Sequence, residues 1–130
     1  MLLFGHPYID FEPFYHIEEI DAIEQTPPNS QLFIRFSKEN LDIIRHMQSN
    51  GLRFALEVSD VTEAVLAYNL DARYIIVNAE LARSVQDVAE NYLFDAKVLC
   101  RMSRESDLTE KIIGGIDGVI YPQAIIKTNN

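Results

Sequence analysis

From residue 31 onward the chain repeats one pattern, in which a short apolar segment is followed by a longer amphipathic one. The apolar segments span residues 31–36, 53–58, 74–77, 97–102 and 118–121. The segments between them, such as residues 38–50 and 80–93, carry apolar side chains at helical spacing. Strands alternating with helices are typical of βαβ units with right-handed crossovers. We therefore predict an α/β fold with a parallel sheet of about five or six strands.

The phase of the residues at each strand end indicates on which side of the sheet the helices lie. Small polar residues that can cap the next helix follow four of the strands: Ser37, Ser59, Asn78 and Ser103. After Ser59, Asp60 and Glu63 also form a plausible capping box. One and three positions before these caps, every residue is apolar. Two positions before them stand Arg35, Glu57, Ile76 and Arg101. Because side chains alternate across a strand, one face is apolar and the other carries charges near its carboxyl end.

This asymmetry between the faces favours one fold over another. A sheet covered by helices on both sides is expected to be apolar on both. We therefore predict helices on one side only, as in a partial or half (β/α) barrel with the charged face turned inward. The alternative is a flavodoxin-like, doubly wound sheet between two helical layers.

The expected domain organisation is simple. Residues 1–130 form a single domain, in which an irregular strand and helix segment (1–30) precedes the βα units (31–123). Within the irregular segment, residues 2–5 and 14–16 are candidates for further strands. Residues 125–130 are expected to fray.

Charge and cysteine content exclude several classes of partner. The net charge of −9 makes nucleic acids and anionic membranes poor partners. The only cysteine, Cys100, lies in an apolar segment, so the sequence has no disulfide framework and no metal-ligand spacing. It also has no P-loop or dinucleotide-binding motif. No secretion signal and no apolar run of the ~20 residues that span a membrane occur. We expect a cytoplasmic protein without metal, cofactor, nucleic-acid or membrane partner.

Three stretches between residues 53 and 123 share features with a known class of barrel. They are Phe54-Ala55-Leu56-Glu57-Val58 ahead of Asp60-Val61-Thr62-Glu63-Ala64, residues 69–78 ending in Asn78, and Gly115-Ile116-Asp117-Gly118-Val119-Ile120-Tyr121. They resemble the later βα units of phosphate-binding TIM barrels, namely indole-3-glycerol phosphate synthase and, behind it, 2-keto-3-deoxy-6-phosphogluconate aldolase. The resemblance implies a barrel-like fold with a ligand site at the carboxyl ends of the strands.

The chain departs from both families where their chemistry resides. Such barrels bind phosphate with glycine-rich turns after the last strands, but Pro122 follows the last strand here and has no backbone N–H. Residues 77–80 and 100–103 lack the Asn-Asn-Arg-Asp and Glu-Ser-Gly runs of the synthase. Lys97 lies at the wrong end of its strand for a Schiff-base lysine. The resemblance therefore implies the fold more than either activity.

The main candidate site consists of Arg35, Glu57 and Arg101, which share one face of the predicted sheet. Two guanidinium groups beside one carboxylate can hold an anionic ligand. The same groups can instead satisfy one another as internal ion pairs, since unpaired buried charges cost several kcal/mol.

Further candidates lie outside this trio. His6 and His16, near Tyr8 and Tyr15, can serve as acid, base or ligand-binding groups. Asn78 stands where active-site residues lie in α/β folds, although capping a helix explains it equally well.

The sequence supports two classes of function and does not decide whether the chain is an enzyme. The first is a non-catalytic domain that self-associates or binds a partner, since an uncovered sheet face needs burial. The alternative is an enzyme or binding protein for a small phosphorylated or carboxylate metabolite at the carboxyl ends of the strands. A receiver-like domain is disfavoured, because His6-Pro7 stand where its acidic pair would follow the first strand.

Overall fold

The computed structural model describes residues 1–128, and within them eight parallel strands form one sheet. Strands β1–β8 span Leu2–Phe4, Phe14–His16, Gln31–Arg35, Phe54–Glu57, Tyr74–Val77, Lys97–Arg101, Gly118–Ile120 and Ile125–Lys127. Helices α1–α4 span Leu41–Ser49, Val61–Asn69, Ala79–Asn91 and Leu108–Ile113. Short 3-10 turns occupy Ile20–Gln25, Lys38–Asn40, Glu105–Asp107 and Pro122–Ala124.

The sheet is curled rather than flat. Its strand order is β1-β7-β6-β5-β4-β3-β2-β8, so five strands separate β1 from β2. Nevertheless the ring of Phe4 on β1 lies 5.0 Å from the ring of Phe14 on β2. Both rings also contact Tyr74 on β5, at 5.6 and 5.4 Å. Such contacts require the inner face to close on itself, which confirms the predicted partial (β/α) barrel, with eight strands in place of the five or six expected.

Two separate apolar cores show that the helices cover only the outside of the sheet. The outer core joins strand residues such as Ile34 and Leu56 to helix residues such as Ile44 and Val85. The inner core consists of Phe4, Phe14, Phe33, Ala55, Ile76, Leu99, Ile120 and Ala124, of which only Ala124 lies outside a strand. Ala124 belongs to the 3-10 turn after β7, and no α-helix of the described chain contributes to this core, which excludes the doubly wound alternative.

The inner face is filled by the chain's own side chains. All eight inner-core residues are buried within the single chain. At the amino end of the barrel, Gly118 allows β1 to approach closely, because a Cβ there would lie 2.8 Å from the backbone oxygen of Leu2. Within residues 1–128 the inner face of the sheet is therefore not left uncovered, and it gives no reason for two copies of the chain to pair.

Helix capping follows the predicted pattern at some strand ends only. Ser37 and Asn78 accept backbone N–H groups three residues ahead, as expected for caps. The helix after β4 is capped instead by Asp60, while Ser59 donates its backbone N–H to Glu63 in a capping box. Ser103 is followed by a 3-10 turn, and α4 begins only at Leu108. The prediction that Ser59 and Ser103 cap the next helices was therefore wrong.

The prediction of a frayed carboxyl-terminal segment was also wrong for residues 125–127. These residues form β8, which pairs with β2, and Thr128 donates its backbone N–H to the carbonyl of His16 at 3.2 Å. Ile125 packs against the inner core, which holds the strand in place. Residues 129 and 130, which belonged to the same prediction, lie outside the described residues. No helix among residues 1–128 has the length and apolar character needed to cross a membrane.

Candidate functional site

The alternation of side chains along the strands brings four polar residues to one end of the barrel. Each stands two positions after a residue of the inner core, and therefore points to the same side of the sheet. They are His16 on β2, Arg35 on β3, Glu57 on β4 and Arg101 on β6. We refer to this opening at the carboxyl ends of the strands, lined by these four residues, as the mouth.

Glu57 is the centre of the charge cluster at the mouth. Its Oε2 accepts a hydrogen bond from Nη1 of Arg101 at 2.8 Å, and its Oε1 lies 3.8 Å from Nη1 of Arg35. The Glu57 side chain is only 17% exposed, whereas those of Arg35 and Arg101 are 57% and 43% exposed. The structure thus brings together the three residues of the main candidate site, with a covered carboxylate and two open guanidinium groups.

The two arginines keep much of their hydrogen-bonding capacity. Arg101 donates to Glu57, and Arg35 donates to Oγ of Ser59. A guanidinium group has five N–H donors, so these contacts occupy only part of each set. Further donors can serve a ligand that approaches from solvent.

The ring of Phe33 forms the floor between Arg101 and His16. The guanidinium carbon of Arg101 lies 5.9 Å from the ring centroid. The imidazole of His16 stands nearly perpendicular to the same ring, with centroids 5.1 Å apart. Burial lowers the pKa of His16 from its ordinary 6.5, which leaves the imidazole uncharged at neutral pH.

His6 does not join the cluster at the mouth and serves to attach the segment after β1. Its Nε2 lies 2.7 Å from Oε1 of Glu105, and its Nδ1 accepts the backbone N–H of Tyr8 at 3.1 Å. The expected proximity to Tyr8 is present, with ring centroids 5.2 Å apart. Both ring nitrogens of His6 are therefore engaged in holding this segment.

Asn78 is occupied by its helix. Its Oδ1 accepts the backbone N–H of Leu81 at 2.9 Å, at the start of α3. Among residues 1–128 no hydrogen bond joins Asn78 to the charge cluster, so its capping role accounts for its position.

Sequence reasoning missed three residues near this end of the barrel. Glu105 pairs with His6 across 99 positions, and no local pattern signals such a contact. Lys127 lies in the segment that the sequence predicts to fray, so it gives no signal of a place near the mouth. Tyr121 is buried beside His6, burial raises the pKa of its phenol, and its hydroxyl has no hydrogen-bond partner in the described part of the chain.

Hollows on the surface differ between the two ends of the barrel. A cleft of about 80 Å³ beside the mouth shares His16 with it and is otherwise lined by Glu18, Lys127 and Thr128. A much larger hollow of about 710 Å³ lies at the opposite end, among the turns that precede β4 and β5. It is a groove between turns, in which Gln48 already donates to Asp71 at 2.9 Å. We place the candidate site at the mouth, because Arg35, Glu57 and Arg101 converge there above the inner core.

Metal and thiol chemistry find no support at this end of the fold. No group of three His, Cys, Asp or Glu residues within the described chain is arranged to hold a metal ion. Cys100 is fully buried, and burial raises the pKa of its thiol, which makes it unreactive.

Comparisons with known proteins do not assign a family. No family model and no curated protein matches the chain. The argument for function therefore rests on the geometry of the mouth.

Proposed function

We propose that this protein binds a small anion, a carboxylate or a phosphate, at the mouth through Arg35 and Arg101. The observation that carries this proposal is the pair of half-exposed guanidinium groups on either side of one covered carboxylate. One carboxylate balances one guanidinium group, so the trio retains a positive charge in a protein whose net charge is −9. A local cation in an acidic protein is the feature that an anionic ligand recognises.

A purely structural role explains Arg101 better than Arg35. Arg101 reaches over Phe33 to Glu57 and covers the inner core, as expected of an internal ion pair. Arg35 lies 3.8 Å from the same carboxylate and is more than half exposed, so its attraction to Glu57 contributes little to stability. A ligand that bridges the two arginines gives Arg35 a function that folding does not require.

We favour binding over catalysis because the carboxylate at the mouth is already engaged. Both arginines pair with Glu57. The cleft beside His16, of about 80 Å³, is too small to enclose a metabolite and exclude water from it.

The resemblance to phosphate-binding TIM barrels agrees with an anionic ligand but implies another means of holding it. Those barrels use backbone N–H groups after the last strands, and Pro122 has none at the corresponding position. Here the arginine side chains at the ends of β3 and β6 would bind the anion instead. Phosphate and carboxylate both suit bidentate arginine contacts, so both belong in the test.

A second candidate function, self-association, depends on an exposed apolar patch at the opposite end of the barrel. Met1, Leu2 and Ile112 are exposed and line one hollow of about 530 Å³. If this patch joins two copies, light scattering at micromolar concentration will give twice the mass of 14.9 kDa. If the unmodified protein has the mass of a monomer and Ile112→Asp has the same mass, self-association is excluded. The anion proposal is unaffected by that result.

The anion proposal is tested by titrating the protein with sulfate, phosphate and citrate at constant ionic strength. Calorimetry or NMR is preferable to thermal shift, because these salts stabilise most proteins by exclusion from their surfaces. We expect saturable binding that weakens about tenfold to a hundredfold in Arg35→Ala and in Arg101→Ala, since a hydrogen bond to a charged group contributes about 1.5–3 kcal/mol.

Arg45→Ala is the matched control, because Arg45 is exposed on the outer helix α1 and its loss changes the net charge equally. It should bind as the unmodified protein does. Arg101→Lys keeps the charge if Arg101→Ala fails to fold. Absence of saturable binding, or an equal loss in Arg45→Ala, would overturn the proposal.

A further inference from the structure

We propose that His16 contacts the anion bound at the mouth and takes up a proton as the anion binds, so that affinity increases as pH falls. This inference rests on the proposed function, which it extends by naming a third binding residue and its protonation state.

His16 is positioned to share a ligand with Arg101. The two side chains meet across the ring of Phe33, with the imidazole centroid 5.1 Å and the guanidinium carbon 5.9 Å from the ring centroid. His16 also lines the small cleft beside the mouth, together with Glu18 and Lys127, so its side chain can be reached from solvent. An oxyanion over Phe33 would therefore lie beside both groups.

Four charged groups surround His16, and they come from four segments of the chain. Glu18, just after β2, and Glu57 on β4 favour the imidazolium form, whereas Lys127 on β8 and Arg101 on β6 disfavour it. These charges oppose one another in pairs, and burial is the larger effect. Burial keeps the pKa of His16 in the free protein below 6.5, so the neutral imidazole predominates at pH 7.

A bound anion reverses this balance. It partly neutralises Arg101 and adds negative charge beside the ring, and both effects favour the imidazolium form. The pKa of His16 should then be higher in the complex than in the free protein. Linkage requires the converse as well: affinity rises as pH falls between the two pKa values and is constant outside them. The proton comes from the buffer, and no bond other than N–H forms or breaks.

Sulfate is the suitable probe, because its charge does not change between pH 5 and 8. We expect its affinity to rise by up to tenfold per pH unit within the responsive interval. Calorimetry in two buffers of different ionisation enthalpy should detect uptake of up to one proton per sulfate. NMR should show the His16 ring resonance titrating at higher pH when sulfate is present.

His16→Gln should still bind sulfate, but without the pH dependence and without proton uptake. His46→Gln on the outer helix α1 should behave as the unmodified protein does. Sulfate binding with equal affinity from pH 5 to 8, or a pH dependence that persists in His16→Gln, would overturn this inference and leave the proposed function standing. Absence of saturable sulfate binding even at pH 5 would overturn both.

Discussion

Replacing Phe14 with alanine should lower the free energy of unfolding by about 3–5 kcal/mol, the usual loss for a fully buried phenylalanine. Phe14 is completely buried and its ring lies 5.0 Å from that of Phe4 and 5.4 Å from that of Tyr74. Removing it leaves a cavity at the point where the curled sheet meets itself. Urea denaturation followed by circular dichroism measures the change, with Tyr92→Ala as a control that should stay within about 0.5 kcal/mol, because Tyr92 is 75% exposed.

A double-mutant cycle between Phe4→Ala and Phe14→Ala tests the curl itself. In a flat sheet five strands would separate these residues and their effects would add. In the partial barrel their rings touch edge to face, so we expect a coupling of about 0.5–1.5 kcal/mol. A coupling of zero would contradict closure of the inner face.

Replacing Glu57 with glutamine should strengthen anion binding by about tenfold. The carboxylate of Glu57 competes with an incoming anion for Arg35 and Arg101, with contacts of 3.8 and 2.8 Å. Two opposite charges about 4 Å apart attract by about 4 kcal/mol near a protein surface, and exposure of both arginines reduces this. A net gain of about 1.4 kcal/mol in binding corresponds to the tenfold change, measured by sulfate titration.

Glu39→Gln controls for the loss of one negative charge, because Glu39 is exposed just after β3 and faces the same end of the barrel. It should change affinity much less than Glu57→Gln does. Weaker binding in Glu57→Gln, with the fold intact by circular dichroism, would mean that Glu57 chiefly holds the arginines in place. The cluster would then be a structural ion pair rather than a ligand site.

The part of the site that could be predicted from the sequence is the part that depends on alternation. Arg35, Glu57 and Arg101 stand two positions before a helix-capping or loop residue, and a strand permits only two directions for their side chains. If all helices lie on one face of the sheet, these three side chains point inward from the other face and lie close together. The structure shows both, with Glu57 within 4 Å of each arginine.

The remaining features depend on contacts between distant segments. Strand β8 is three residues long and is held by pairing with β2 and by Ile125 on the inner core. The strand is too short to show a periodic pattern and polar residues follow it, so the sequence predicts a frayed end. Of the two caps that the sequence offers for α2, Asp60 is the one used, and the Ser59 hydroxyl accepts a hydrogen bond from Arg35 instead. Local propensity does not predict that the Ser59 hydroxyl accepts a hydrogen bond from a side chain 24 positions away.

The pairing of the first strand with β7 has a consequence for biosynthesis. Leu2 pairs with Gly118, so β1 leaves the ribosome well before its partner strand and must wait for it. Translation adds about 5–20 residues per second, so this delay is on the order of ten seconds. During that time the outer βα units can assemble with their neighbours, since β3 to β7 pair in chain order. Closure of the barrel by β1 is therefore a late event in folding, and β1 is short enough to offer other chains little edge to pair with in the meantime.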